Sequence, residues 1–362
     1  MSKARGIADL GNAYSDGALS NRNLIINGDM KISQRGTSFT GVTHGTYTLD
    51  RWELNEDSAA EFTITQSSET PDGFGSSIKL DVTTADTSVG SADYVVFEQR
   101  IEGYNAQSFG RGTSNAKPHT VSFWVRSNVT GTYICELKYD TGGYEASQAY
   151  TIDAADTWEY KVLVFPPQTL SAPANDNSAE LRVSFWLLAG SNYTGGGTLS
   201  TQWTTTDNVR AVGQTNLVAS TSNEIYFTGV QLEVGDTATP FEHRLYGNEL
   251  QRCQRYYYTI YQTVGDDTGL MFAGTKTSTQ IIGVTHFPVA MRDSPSVVNS
   301  SAQFRVDSQD SLQSNTAGST VTIEAGGPTT CILKIAGFTG LSSGDNFPCK
   351  YIAGTFAFES EL

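Results

Sequence analysis

The feature that most constrains this chain is a succession of short runs in which apolar and polar residues take turns. "TYTLDRWEL" (46–54), "EFTITQ" (61–66), "SIKLDVTT" (77–84), "DYVVFEQRI" (93–101) and "HTVSFWVRS" (119–127) come first. "GTYICELKY" (131–139), "EYKVLVF" (159–165), "AELRVSFWLL" (179–188) and "NEIYFTGVQLEV" (223–234) follow, with Asp-Gly, Gly-Gly and Pro-Pro as punctuation. Alternation at period two gives a strand one apolar face and one polar face, as in half-buried antiparallel sheets. Many such strands joined by turns pack as a sandwich or jelly roll.

The expected fold class is therefore all-β. After a pause in the strand signal, "YGNELQRCQRYYYTIY" (246–261) reads as a helix, with Asn248 as its cap and Leu250, Cys253 and Tyr257 on one face. Strand signals then resume in "MFAGTKTST", "IIGVTHFPVA", "QFRVDS", "TVTIEA", "CILKIAGF" and "GTFAFESEL". The expected organisation is a short N-terminal arm (1–22), a jelly-roll domain (23–244), a helical linker (245–261) and a second antiparallel β-sandwich (262–362). In the arm, Ile7, Leu10 and Tyr14 recur at helical spacing and give it one adhesive side, suited to docking on another body.

Composition narrows the function. Only 17% of the 362 residues are charged, and the net charge is −15. Phosphate contacts need clustered Lys and Arg, so nucleic acid is not an expected partner. No segment has the apolar length of a membrane span, and the N-terminus lacks the apolar core of a signal peptide, so the chain is expected to fold in a cytoplasm. The cysteines Cys135, Cys253, Cys331 and Cys349 have no metal-binding spacing and read as buried thiols. Cys331 and Cys349 are expected on neighbouring strands if they pair at all.

Two marks bracket the first β unit: "NLIINGDM" (23–30) and "GVQLEVGDTATPFEHR" (229–244). With "LDRWEL" (49–54), "VSFWVRS" (121–127), "DTWEYKVLVF" (156–165) and "VSFWLLAGSN" (183–192) between them, the set resembles a jelly-roll module of tail-fibre and virion-attachment proteins of tailed bacteriophages. That module is itself similar to the carbohydrate-binding modules of glycoside hydrolases. "CQRYY" (253–257), "FPVAMRDSPSV" (287–297) and the terminal "FESEL" (358–362) look like the continuation found in the same phage proteins. The resemblance implies a virion structural protein, a tail fibre or similar appendage, that mediates host attachment. It also implies a homotrimer, other virion proteins as partners, host surface polysaccharide as a ligand, and assembly in the host cytoplasm. The alternatives are a purely structural head fibre or tail adaptor without a glycan site, and a polysaccharide-degrading enzyme carrying this module.

Sugar binding needs flat rings against the apolar faces of pyranoses, with amides and carboxylates for the hydroxyls. Each "VSFW" places its Trp on the second face of a strand, so Trp124 and Trp186 are candidates for one shared platform; the plain alternative is a sheet covered on both faces. Trp203, in the loop "STQWTTTDN", is the ring expected to be exposed. Trp52 and Trp158 read as structural. The related modules hold a structural calcium near their chain ends, which here points to Asp29, Glu233 and Asp236 beside Asn27; the plain alternative is ordinary turn residues. No other cofactor is expected. Catalysis is not expected: His44, His119, His243 and His286 sit in no catalytic motif, and no G-x-S-x-G or H-E-x-x-H is present. His286 reads as a packed strand residue, and Glu242-His243-Arg244 as a solvated turn.

Overall fold

A computed structural model describes residues 21–260, 268–307, 312–314, 319–342 and 344–362. Ile7, Leu10 and Tyr14 lie outside the described residues. The described chain is nearly all antiparallel β-structure in sandwich-like arrangements. It divides into two compact units, one up to Glu249 with the terminal Leu362, and one over Leu250–Glu361.

The first unit has twelve strands: β1 (Ser38–Val42), β2 (Thr46–Tyr47), β3 (Glu53–Asp57), β4 (Glu61–Ser67), β5 (Ser77–Thr84), β6 (Tyr94–Glu102), β7 (His119–Ser127), β8 (Gly131–Tyr139), β9 (Tyr144–Ile152), β10 (Glu159–Phe165), β11 (Ala179–Ala189) and β12 (Glu224–Val234). They form two six-stranded sheets, β1-β4-β5-β12-β7-β10 and β2-β3-β6-β11-β8-β9. From β9 onward successive strands switch sheets, the crossing pattern of a jelly roll.

Period-two alternation puts one side-chain set of each strand between the sheets. Val121, Phe123 and Val125 of β7 meet Val183 and Phe185 of β11 there, all fully buried. The Phe123 and Phe185 rings cross edge-on at 4.9 Å, and Trp52 stacks on Phe97 at 4.9 Å. A register shift between Trp186 and Leu188 lets Leu188 reach the core as well.

"NLIING" and "GVQLE" run side by side and close the sandwich. Leu24 donates to the Leu232 carbonyl (3.0 Å), Val230 to that of Gly28 (2.9 Å), and the Asn23 amide to that of Val230 (3.2 Å). Gly28 is required there, because a Cβ would run into the Val230 carbonyl oxygen. The expected solvated turn at 242–244 is instead partly a clasp. His243 is exposed, but Arg244 is largely covered and reaches back to the Ile25 carbonyl (3.0 Å) and to Glu249 (3.2 Å).

Near one end of the sandwich lies a fully buried ion pair. Arg111 pairs with Glu180, lies 3.9 Å over the Tyr139 ring, and donates to Ser171 Oγ (2.6 Å). His119 stacks on Phe109 at 3.8 Å and its Nε2 meets Tyr139 Oη at 2.6 Å. Burial, helped by the Arg111 charge, lowers the His119 pKa from 6.5 to about 3, so the ring is neutral in the fold. The unfolded chain takes up that proton first. Stability from this group is therefore complete above pH 6.5 and is lost as pH falls towards 3, by about 1.4 kcal/mol per pH unit for one proton. His119→Phe is expected to flatten the decline between pH 6.5 and 4, measured by urea unfolding; an unchanged slope would contradict this assignment.

The helix α1 (Ser191–Thr194) belongs to the first unit, and α2 (Tyr246–Gln254) spans the division at Glu249. The expected helix over 246–261 is thus too long. Asn248 lies inside its first turn, where its N–H donates to the Leu245 carbonyl (3.0 Å). Beyond Gln254 the aromatic and β-branched run favours extended backbone, and β13 (Tyr257–Thr259) pairs with the last strand.

The second unit continues with β14 (Thr268–Thr277), β15 (Gln280–His286), β16 (Ser296–Asp307), β17 (Leu312–Ser314), β18 (Val321–Gly326), β19 (Thr330–Ala336) and β20 (Asn346–Glu359). Its strands form one continuous sheet, β17-β16-β20-β14-β15-β19-β18, with β13 also on β20. The sheet folds over its own core, since β16 and β18 touch from opposite parts of the order. Phe304, Phe356 and Phe358 fill that core, with Phe304 edge-on to Phe356 at 5.3 Å. Cys331 on β19 and Cys349 on β20 are not on neighbouring strands, because β14 and β15 lie between them; all four cysteines are buried and none forms a disulfide. His286 ends β15 exposed rather than packed.

Candidate functional site

The outer face of the β2-β3-β6-β11-β8-β9 sheet carries a cleft of about 210 Å³, lined among others by Asn55, Tyr94, Glu98, Glu136, Arg182 and Trp186. That is below the roughly 300–1,000 Å³ usual for small-ligand pockets. It suits a groove that receives part of a chain.

Register explains its floor. Ser184 of β11 sits between Glu98 of β6 and Glu136 of β8, and Arg182 faces Lys138 of β8. These are the polar positions of runs whose apolar positions fill the core. The segment after β11 forms the wall over the floor. The Glu145 N–H donates to the Thr204 carbonyl (2.8 Å) and that of Ser147 to Ser200 (3.0 Å), laying this segment along the edge strand β9.

Arg210 fixes the wall to the floor. Its Nε and Nη2 both donate to Glu136 at 2.8 Å, a forked pair, and Nη1 reaches Asp207 at 3.2 Å. Its guanidinium lies 5.3 Å over the Trp186 ring and 5.6 Å over Tyr193. Burial opposes its charge, but Glu136 and Glu145 more than offset that, and its pKa rises. Glu145, 3.7 Å from Arg210, is pushed up to about 7 by burial, which Arg210 opposes and Glu136 reinforces. Glu98 accepts from Ser184 Oγ (2.8 Å), Arg100 Nε (3.2 Å) and Arg182 (3.4 Å). Tyr193 stands edge-on to Tyr94 at 5.7 Å and tilted to Trp186 at 5.2 Å, and Tyr94 Oη donates to Asn55 (3.0 Å). The arrangement offers partly exposed tyrosine rings beside charged groups held in fixed orientation.

The expected residues fall in different places. Trp186 is in the cleft but 1% exposed, beneath Tyr193 and Arg210, so it cannot serve as an open stacking surface. Trp124, on β7, lies on the outer face of the other sheet with Tyr160 at 5.4 Å. The two "VSFW" rings therefore form no shared platform, because β7 and β11 belong to opposite sheets. Trp203 is not the exposed ring: it is half-buried against the core, 5.2 Å from Tyr139, and its Nε1 donates to the Pro166 carbonyl (2.7 Å).

The calcium set does not assemble either. Asp29 pairs with Lys31 at 2.9 Å, and Glu233 pairs with Arg22 at 3.5 Å and accepts from Thr239 N–H at 3.0 Å. Asp236 is exposed. Asn27 is consumed by backbone, bonding Ile32 and Asp50. Among the described residues no group of three or more His, Cys, Asp and Glu is placed to hold a metal ion.

Glu98, Glu136, Arg182, Arg210 and the two tyrosines were not singled out from the sequence. The available signal was charge at polar positions of runs otherwise apolar, in "VVFEQRI", "ICELKY" and "ELRVSFW". No helix among the described residues is long and apolar enough to cross a membrane.

No protein-family profile matches the sequence, and no curated protein does. Solved structures overlap a little over half of the chain loosely. The enzymatically active domain of tailspike protein 4 of bacteriophage CBA120 is 15% identical, with a TM-score of 0.32, over 59% of this chain and 21% of that one. A putative sugar-binding protein from Bacteroides thetaiotaomicron is 13% identical, with a TM-score of 0.31, over 59% of this chain and all (100%) of that one. A family 11 carbohydrate-binding module of a cellulosomal cellulase from Clostridium thermocellum is 11% identical, with a TM-score of 0.28, over 57% and 98%. Overlaps this loose tie the chain to no one family.

Proposed function

We propose that this protein is a non-enzymatic attachment protein of a tailed-phage particle, a tail fibre or similar appendage, that binds cell-surface glycan through the cleft on the first unit. The observation that carries the glycan reading is the cleft itself: tyrosine rings beside oriented hydrogen-bonding groups, on the outer face of a rigid sheet. The phage assignment rests on the sequence resemblance. "NLIINGDM" and the 229–244 stretch, its two bracketing marks, are the pieces that close the sandwich, which gives their pattern a structural reason. The particle-facing partner is another virion protein, and the working assembly is a homotrimer. No metal or cofactor takes part.

The test is adsorption of the purified protein to host cells and competition with infecting particles. Tyr193→Ala is expected to weaken adsorption at least tenfold while lowering the melting temperature by only a few degrees, because the ring is partly exposed in the cleft and packs on Trp186 with one face. A protein that neither adsorbs nor competes, yet incorporates into particles, would be a purely structural appendage. Shortening of a host polysaccharide would make it an enzyme.

A further inference from the structure

Two donors lining the cleft are left without hydrogen bonds, while its two lining carboxylates are not. The carboxylates are committed: Glu136 accepts the Arg210 fork, and Glu98 accepts from Ser184, Arg100 and Arg182. The donors are not. Trp186 lines the cleft, yet its Nε1–H is buried without a hydrogen-bond partner. A buried donor without a partner is costly, so it needs an explanation. The Lys138 ammonium, lining the same cleft, makes no hydrogen bond among the described residues, and its ion pair with Glu145 is 3.9 Å long. Arg182 beside it commits Nε to Asp140 (2.8 Å) and touches Glu98 only at 3.4 Å.

We infer that the glycan this cleft takes carries carboxylates, as in a uronic-acid-containing polysaccharide, with Lys138 and Arg182 on the carboxylate and the Trp186 indole N–H on a sugar oxygen. With a neutral sugar, whose hydroxyls donate as well as accept, Lys138 keeps only its long ion pair with Glu145, and Arg182 only its pairs with Asp140 and Glu98. A carboxylate only accepts. The net charge of −15 and the cleft's own Glu98 and Glu136 oppose an acidic polymer, but charges beyond about 8 Å are screened at physiological salt, and inside the cleft Arg210 offsets Glu136 and Arg100 offsets Glu98. In this picture Trp186 is a hydrogen-bond donor and not a stacking surface.

The inference rests on the glycan reading, and the test separates the two. The full chain is applied to a glycan array holding neutral oligosaccharides, uronic-acid oligosaccharides and carboxyl-reduced forms of the latter. Binders are expected among the uronic-acid glycans, at least tenfold tighter than their reduced forms. Trp186→Phe keeps an aromatic ring and removes the N–H; with Lys138→Met, each is expected to weaken binding about tenfold. The melting temperature is expected to be unchanged for Lys138→Met and lowered for Trp186→Phe, whose smaller ring leaves a cavity, so its binding is read well below its melting temperature. Equal binding of acidic and reduced glycans, or full binding by both variants, overturns the inference and leaves the glycan reading standing. Binding to no glycan on the array overturns both.

Discussion

Glu180→Gln is expected to destabilise the first unit by about 3–5 kcal/mol, among the largest single effects in the molecule. Glu180 and Arg111 are both 0% exposed. Neutralising the acid leaves a guanidinium shielded from bulk solvent, above the Tyr139 ring and near the neutral His119. Burial already lowers the Arg111 pKa, and the Glu180 charge opposes that shift. The pair is costly to break but not costly to replace. Arg111→Met combined with Glu180→Leu is expected to recover most of the loss, because neither charge then remains to be desolvated. Urea unfolding of the two single variants and the double variant measures this. A Glu180→Gln variant within 1 kcal/mol of the parent would show that the site is wetter than described.

The second large effect is expected at Arg244. Arg244→Met should cost about 2–4 kcal/mol and loosen residues 23–28 in hydrogen exchange. One guanidinium there ties three separate pieces of chain. It holds the carbonyls of Asn23 and Ile25, Glu242 (3.1 Å) and the nearly buried Glu249 (3.2 Å). Glu249 in turn accepts the Asn27 N–H, and Glu242 that of Asn23 (3.1 Å). Lysine presents three donors from a point charge and cannot reproduce a planar fork, so Arg244→Lys is expected to recover less than half of the loss. Full recovery by lysine would reduce the clasp to simple charge pairing.

The strands and the inward faces of "VSFWV" and "VSFWL" were legible because period-two alternation records burial directly. The sheet membership of those strands was not. Val121 and Val183 read alike in sequence, and only the crossover order sends β7 and β11 to opposite sheets, which separates Trp124 from Trp186. The cleft was illegible for a related reason. Its groups come from β3, β6, β8, β11 and the loop that carries Arg210, and only pairing register sets Glu98, Ser184 and Glu136 in one row. Trp203 shows the opposite failure: a polar loop suggests an exposed ring, yet its indole N–H bonds the Pro166 carbonyl and the ring packs beside Tyr139. The 242–244 segment looks solvated because its residues are charged, but Glu242 and Arg244 satisfy one another and the backbone of Asn23 and Ile25.

The most direct test of the account is a structure of the full chain with an oligosaccharide from its host surface bound. The account predicts a sugar ring against Tyr193 and Tyr94, over the row formed by Glu98, Ser184 and Glu136. A sugar bound instead on the opposite sheet beside Trp124 and Tyr160, or on the second unit, with this cleft empty, would contradict it.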